Sequence, residues 1–154
     1  MSEENVGELC RACGLCCDGT LFTFVAVEEA RLYTLRVEGL DVREGRDGRF
    51  TLRQPCAGLQ GTTCRIYDAR PQGCRDFHCL LAVALKQGET TLDEAKGLVA
   101  TFREKLDHLA QILPPEREPS GLSLVQRARR DGVEDRAWWV SFDASLKAYF
   151  RGGP

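Results

Sequence analysis

Four of the eight cysteines in this 154-residue chain lie within one short stretch, Cys10-x-x-Cys13-x-x-Cys16-Cys17. A thiolate sulfur is a strong ligand for soft and borderline metal ions, and two residues between cysteines let both sulfurs turn toward one centre. The spacing therefore predicts a metal site. The candidate metal ligands are all eight cysteines: Cys10, Cys13, Cys16, Cys17, Cys56, Cys64, Cys74 and Cys79.

Disulfide formation is the alternative use of so many cysteines, and the cellular compartment decides between the two. The acidic start of the chain, Met1–Glu8, has neither the basic nor the apolar stretch of a secretory signal. No apolar run of about 18 residues could span a bilayer. We therefore expect a cytoplasmic protein with reduced thiols. The net charge of -2 gives no indication of a nucleic-acid or membrane partner.

Eight thiols can be divided among metal centres in several ways. Two four-cysteine sites, one shared binuclear site, and one occupied site with spare thiols all remain open. Cys16 and Cys17 are adjacent, and their side chains would diverge in an extended backbone, which favours different partners for the two. His78 is an additional candidate donor, because Cys74-x-x-x-His78 would share one helical face; a structural or merely polar role is the alternative. His108 is expected on the protein surface.

The sequence also predicts what would stabilise the thiolates. Gly14 and Gly19 allow backbone N–H groups to approach sulfur. A helix that begins near Cys74 and Cys79 would lower the pKa of both thiols. Several arginines near cysteines either offset the thiolate charge or are solvated, and each of these lies within four residues of a cysteine: Arg11, Arg65, Arg70 and Arg75.

The elements that must position these cysteines are short in the first half of the chain. We predict an α+β fold, with a small cysteine-rich, metal-bound N-terminal half that contains short antiparallel strands, followed by α-helices. The cysteine-cluster domain would span 1–90, and a helical extension that packs on it would span 91–154. Aromatic and β-branched residues predict a strand at 20–25, and a turn predicts a hairpin over 42–52.

A short helix is predicted in the first half of the chain, at 27–36. Apolar periodicity predicts helices through most of the second half. Those segments are 76–87, Thr90 or Thr91 to Leu113, 122–130 and 134–150. Gly88 would end the first of those segments, and Pro114 the second. In the last helix, Trp138, Phe142 and Tyr149 form one stripe, which we interpret as a packing face. A surface at Trp138 and Trp139 that docks a protein partner is the alternative.

Several motifs occur in a fixed order along the first half. Cys10-x-x-Cys13-Gly-x-Cys16-Cys17 is followed by Pro55-Cys56, by Cys64-x-Ile66-Tyr67 and by Arg70-Pro71-x-x-Cys74-Arg75-x-Phe77. This order resembles the YkgJ-type cysteine-cluster family, also written CxxCxxCC. The resemblance covers about residues 10 to 90 and implies a zinc- or iron-chelating domain with a counterpart for each cysteine. Flagellin lysine methylases share this cluster.

We therefore expect a metal-binding protein that chelates zinc or iron, with a structural or metal-handling role. Zinc held by four thiolates would stabilise a first half that otherwise has little core. A 4Fe-4S redox or sensor protein is the first alternative, because ferredoxins also use Cys-x-x-Cys-x-x-Cys. A lysine methylase-like enzyme is the second, although no Gly-x-Gly-x-Gly turn for S-adenosylmethionine follows a predicted strand. Apolar thiols buried without metal are the remaining interpretation.

Overall fold

The computed structural model describes residues 3–133 and 137–151. These residues form two compact units. The first, called here the helical unit, consists of the residues up to Cys13 and those from His78 onward. The second, called the strand unit, is the continuous segment Gly14–Phe77. The helical unit is therefore built from two separate pieces of the chain.

Short elements make up the strand unit. They are β1 (Phe24–Val27), a 3-10 turn (Glu29–Arg31), α2 (Leu32–Val37), β2 (Val42–Glu44), β3 (Phe50–Arg53), β4 (Leu59–Gln60), β5 (Thr63–Cys64), a second 3-10 turn (Tyr67–Ala69) and α3 (Gln72–Asp76). Strands β1, β3 and β2 form an antiparallel sheet in that order, and β4 pairs with β5 in a separate hairpin.

The predicted hairpin over 42–52 is confirmed, because Val42 pairs with Leu52 and Glu44 with Phe50. The predicted strand at 20–25 begins later, at Phe24. The reason is local: the N–H of Thr20 donates to the side chain of Asp18, and the N–H of Leu21 donates to the carbonyl of Leu15. Those bonds hold the chain in a turn that a strand would have to break.

Helices make up the helical unit. They are α1 (Glu3–Cys13), α4 (Leu80–Gln87), α5 (Leu92–Ile112), α6 (Leu124–Arg130) and α7 (Ala137–Leu146), and α7 continues into a π-helical turn (Lys147–Arg151). Helix α5 begins with a capping box between Thr91 and Glu94. Its predicted apolar face is confirmed by the burial of Ala95, Val99, Phe102, Leu106 and Leu109. Gly88, at φ +77°, ends α4 as expected.

Helix α1 was not predicted, and it carries both Cys10 and Cys13. Val6, Leu9 and Cys13 are buried and share one face at helical spacing. The helix packs against α4 and α5, and ion pairs join Glu3 to Lys86 and Glu8 to Lys96. The apolar spacing and the acidic first turn were the signals that predict it.

The buried stripe of the last helix also differs from the prediction. Trp139, Phe142, Leu146 and Phe150 are buried, whereas Tyr149 is 42% exposed. Trp138 stacks on Phe142, with ring centroids 5.2 Å apart. Trp139 lies inside the core and cannot be part of a docking face, whereas a protein partner at the C-terminal helices stays a prediction. The first part of the predicted helix, 134–136, lies outside the described residues.

Short antiparallel strands in the N-terminal half and helices after them confirm the predicted α+β class. The predicted domain boundary near residue 90 stays a prediction. Among the residues that the structure describes, no helix is long and apolar enough to cross a lipid bilayer.

Candidate metal centre

Four thiols come together within the strand unit: Cys17, Cys56, Cys64 and Cys74. Negative charge on any of the last three raises the pKa of Cys17. Charge on Cys56 and on Cys64 likewise raises the pKa of Cys74. Coulombic interaction weakens with distance, so the interaction of all four thiols indicates that they lie in one region of the strand unit.

The backbone holds Cys17 beside Cys56. Gly14 adopts φ +67°, and its carbonyl accepts the N–H groups of Cys17 and Asp18 at 3.1 and 3.0 Å. Glycine adopts this left-handed conformation without the steric cost that a Cβ would add. The N–H of Cys56 then donates to the carbonyl of Cys17 at 2.7 Å. This bond joins two parts of the chain that are far apart in sequence.

A tight hairpin brings Cys64 to Cys56. The N–H of Leu59 donates to the carbonyl of Cys56 at 3.0 Å, and Leu59 pairs with Cys64 across β4 and β5. The N–H of Gly58 donates to the sulfur of Cys56 at 3.3 Å. A Cβ at Gly58 would lie 3.1 Å from the side chain of Ile66, so the turn packs closely. Both cysteines rest against the core of the strand unit.

Cys74 is held by α3, which packs against β1. A Cβ at Gly73 would lie 3.0 Å from a side-chain carbon of Val25 and 3.2 Å from the carbonyl oxygen of Ala26, so α3 approaches β1 closely at this glycine. The N–H of Gln72 donates to the carboxylate of Glu28 at 3.0 Å. These contacts fix the helix that carries Cys74.

Burial dominates the pKa of these thiols. It raises the pKa of Cys17 to about 12 and, together with the neighbouring thiols, the pKa of Cys74 to about 11. Burial also raises the pKa of Cys56 and of Cys79. The expected lowering of the pKa of Cys74 and Cys79 by a helix end is therefore wrong in sign, because desolvation outweighs the helix terminus.

Arg65 and Arg70 act on thiols of the strand unit. Arg65 lowers the pKa of Cys56, and Arg70 lowers the pKa of Cys74. Arg65 also pairs with Glu38 at 2.6 Å, and the guanidinium carbon of Arg70 lies 3.5 Å from the ring centroid of Tyr67. Both cations are thus fixed in place close to the four thiols.

Arg11 and Arg75 serve different groups. Arg75 donates to the carbonyl of Arg70 at 3.1 Å and so supports the chain that leads into α3. Arg11 is exposed on α1 and lowers the pKa of Glu8.

The remaining cysteines have other surroundings. In the helical unit, Cys10 is exposed on α1, and Cys13 is buried, with its carbonyl accepting a bond from Arg103. Cys79 is the N-cap of α4, where its sulfur accepts the N–H of Ala82 at 3.4 Å. Cys16, in the strand unit, is partly buried in the turn before Cys17.

Neither histidine shares a helical face with a cysteine of the strand unit. Helix α3 ends at Asp76 and α4 begins at Leu80, so Cys74 and His78 do not share a helical face, and that prediction is wrong. His78 is exposed and lowers the pKa of Glu3. His108 is exposed, as expected, with its ring 5.3 Å from that of Trp138.

The donor chemistry of the strand unit suits a tetrahedral metal centre. None of the eight cysteines, all of which lie in the described residues, is in a disulfide. Within residues 3–133 and 137–151, no three Cys, His, Asp or Glu side chains already stand in an arrangement that could hold an ion. A metal ion bound by these four sulfurs would therefore require their side chains to rotate toward a common centre. Four thiolates are the ligand set of structural zinc and of iron-sulfur clusters.

A cluster of thiols gathered by turns and hairpins is typical of a metal-chelating domain. The family model CxxCxxCC, described as "Putative zinc- or iron-chelating domain", matches residues 9–96. This match covers more than half of the chain, and the chain belongs to that family. No match was found among curated proteins or among solved structures. The link to flagellin lysine methylases stays a prediction.

Proposed function

We propose that this chain is a cytoplasmic zinc-binding protein whose ion stabilises the strand unit. One observation carries the proposal. Four thiols gather in a unit where, over the whole of Gly14–Phe77, no aromatic side chain is buried. A unit of about 60 residues buries only a marginal amount of apolar surface, and a bound metal ion adds to its stability.

Zinc suits this role better than a redox-active metal. Zinc accepts four thiolates, has no redox chemistry and contributes its binding energy directly to folding. A ferredoxin-type loop would need Cys10, Cys13 and Cys16 to wrap one cluster. Here Cys10 and Cys13 lie on a regular α-helix, which is tied to α4 and α5.

An iron-sulfur centre is the second candidate. It is favoured by the N–H of Gly58 on the sulfur of Cys56 and by the cations of Arg65 and Arg70, because bonds to sulfur and nearby positive charge stabilise reduced clusters. Electron transfer, or a response to oxidants, would then be the function.

The cytoplasmic assignment is supported by the thiols. Disulfides form and persist in oxidising compartments, whereas cytosolic reductants keep cysteines available for metal ions. Eight cysteines with no disulfide fit the second environment.

Elemental analysis of protein purified without oxygen and with a reductant tests the proposal. We expect stoichiometric zinc, no acid-labile sulfide and no visible absorption. Iron with a matching amount of sulfide and a broad visible band would select the second candidate. The control is protein whose thiols have been alkylated after chelation, which should bind neither metal. Absence of both metals from the unmodified protein would refute metal chelation.

A further inference from the structure

We infer that Cys17, Cys56, Cys64 and Cys74 are the complete ligand set of one metal centre, and that Cys16 is not a ligand of that centre. The inference rests on the proposed function and deepens it, because it chooses among the ways in which eight thiols could be paired. It concerns one metal centre with four thiolate ligands, whether the metal is zinc or iron.

The backbone converges on this set from four places in the sequence. The N–H of Cys56 binds the carbonyl of Cys17 at 2.7 Å, which fixes the first pair. The β4–β5 hairpin fixes the second pair, because Leu59 binds the carbonyl of Cys56 and stands opposite Cys64. Each of these restraints is a main-chain bond, so it persists when a side chain rotates.

Helix α3 brings the fourth ligand. Its position is set by the close approach of Gly73 to β1, where a Cβ would lie 3.0 Å from Val25, and by the bond from the N–H of Gln72 to Glu28. Ala69, just before α3, packs on the same core as Cys56 and Cys64. Mutual electrostatic interaction among the four thiols agrees with this placement.

Charge supports the same grouping. Four thiolates around a divalent ion leave a net charge of about -2, which is costly to bury unless cations lie nearby. Arg65 acts on Cys56 and Arg70 acts on Cys74, and both guanidinium groups are anchored by other contacts. Each cation therefore acts on one of the proposed ligands, Arg65 on Cys56 and Arg70 on Cys74.

Cys16 and Cys17 differ in the part that they take. The carbonyl of Cys17 accepts the N–H of Cys56, and the thiol of Cys17 interacts with those of Cys56, Cys64 and Cys74. Four thiolates complete a tetrahedral set and leave no place for a fifth. Cys16 is therefore the natural matched control, since it has the same chemistry one residue away.

Single and double substitutions test the ligand set by metal stoichiometry, measured after equilibration with a competing chelator. Cys17→Ser, Cys56→Ser, Cys64→Ser and Cys74→Ser should each lose the same metal centre. The double variant Cys17→Ser with Cys56→Ser should lose no more metal than Cys56→Ser alone, because both residues serve one centre. Circular dichroism of the helices checks that each variant is folded.

The Cys16→Ser control should either keep all metal or lose a different centre. In the second case, Cys16→Ser combined with Cys56→Ser loses more metal than either single variant. The inference is overturned if Cys16→Ser loses metal and the combination loses no more than Cys56→Ser alone. It is also overturned if Cys17→Ser and Cys56→Ser have additive losses.

Alkylation of the wild-type protein provides a second test that needs no variant to fold. Metal is withdrawn stepwise by a chelator, exposed thiols are alkylated, and the modified peptides are identified by mass spectrometry. Cys17, Cys56, Cys64 and Cys74 should become reactive in the same step. Their modification in different steps contradicts the ligand set, whereas wild-type protein that holds no metal refutes the proposed function itself.

Discussion

The helical unit and the strand unit are held together by different means. Three phenylalanines of the helical unit are fully buried: Phe102, Phe142 and Phe150. The core of the strand unit consists of smaller aliphatic side chains: Val27, Leu35, Leu40, Leu52 and Ile66. Among the described residues, nineteen buried apolar residues belong to the helical unit and seven to the strand unit. A fully buried Val, Leu, Ile or Phe side chain contributes about 1.5–3 kcal/mol, so packing supports the helical unit far more than the strand unit. The comparison teaches that one half of this chain can rely on apolar contacts and the other relies on its thiols.

Metal removal is the strongest test of this comparison. Structural zinc contributes about 10–16 kcal/mol to small domains at neutral pH. After treatment with a chelator and a reductant, amide hydrogens of β1 and β3 should exchange faster by about two orders of magnitude or more, while those of α5 change little. Hydrogen exchange with mass spectrometry measures both.

The control for this experiment is the same chelator saturated with zinc beforehand. Equal acceleration in α5 and in β1 would show that the two units unfold as one, and the comparison would fail.

Truncation of the helical core should produce the opposite pattern. The ring of Phe102 lies 4.7 Å from that of Phe150 and 5.9 Å from that of Phe142. Phe102→Ala should lower the free energy of unfolding of the helical unit by about 3–5 kcal/mol, because it leaves a cavity among these rings. Denaturant unfolding measures the loss, and the metal content should not change.

The matched variant is Tyr149→Ala, since this ring also lies near Phe102, at 6.2 Å, but is 42% exposed. Its cost should be about 1 kcal/mol or less. Metal loss in Phe102→Ala would contradict the separate stabilisation of the two units.

The stability of the strand unit should change with pH in opposite directions in the metal-loaded and the metal-free protein. The pKa of Cys17 and of Cys74 is raised above 9.0 in the folded protein, so above about pH 9 the unfolded chain loses these protons first. The stability of metal-free protein should then fall by about 1.4 kcal/mol per pH unit for each thiol, up to pH 11–12. Metal-loaded protein should instead lose stability as pH falls, because protons compete for the thiolates.

Urea unfolding of both forms between pH 6 and about 11 measures these slopes, with Cys17→Ser as the variant in which the alkaline slope of the metal-free form is reduced. Metal-free protein that becomes more stable as the pH rises above 9 would show that the pKa shifts are wrong in sign.

The smallest expected effects come from alanine substitutions of two glycines, Gly73 in the strand unit and Gly97 in the helical unit. Gly73→Ala places a Cβ against Val25 and Ala26 and should cost about 1–3 kcal/mol, because α3 must move away from β1. Gly97→Ala places a Cβ in open space on α5 and should stabilise the helix by about 0.5–1 kcal/mol. Thermal unfolding and metal affinity are measured for both variants. A similar effect of the two substitutions would rule out a packing role for Gly73.

Local signals predicted most of the secondary structure. The turn before Phe50 and the periodicity of α5 are features of consecutive residues, and both elements formed where expected. The break between α3 and α4 could not be predicted in this way, because Phe77 kept the apolar pattern of a helix. Phe77 packs instead on Phe22, with ring centroids 4.6 Å apart, and this partner is distant in sequence.

The candidate site shows the same division between local and distant information. Residue type and spacing identified all eight cysteines as candidate ligands. Their grouping depends on the bond between Cys56 and Cys17 and on the contact of Gly73 with β1, which join residues far apart in the chain. No periodicity or short motif encodes such contacts, so the sequence left the pairing open.

The division of the helical unit into two sequence segments has a consequence for synthesis. A ribosome releases α1 first, yet its packing partners α4 and α5 emerge only after all of Gly14–Phe77 has been made. The entropy lost in closing a loop grows with the length of flexible chain between its ends. If the nascent strand unit has already bound its ion, Cys17 and Cys74 are held together. Most of the chain between α1 and α4 then no longer adds to the entropy lost in closing the loop. Metal supply during translation would then set how quickly the first helix finds its partners.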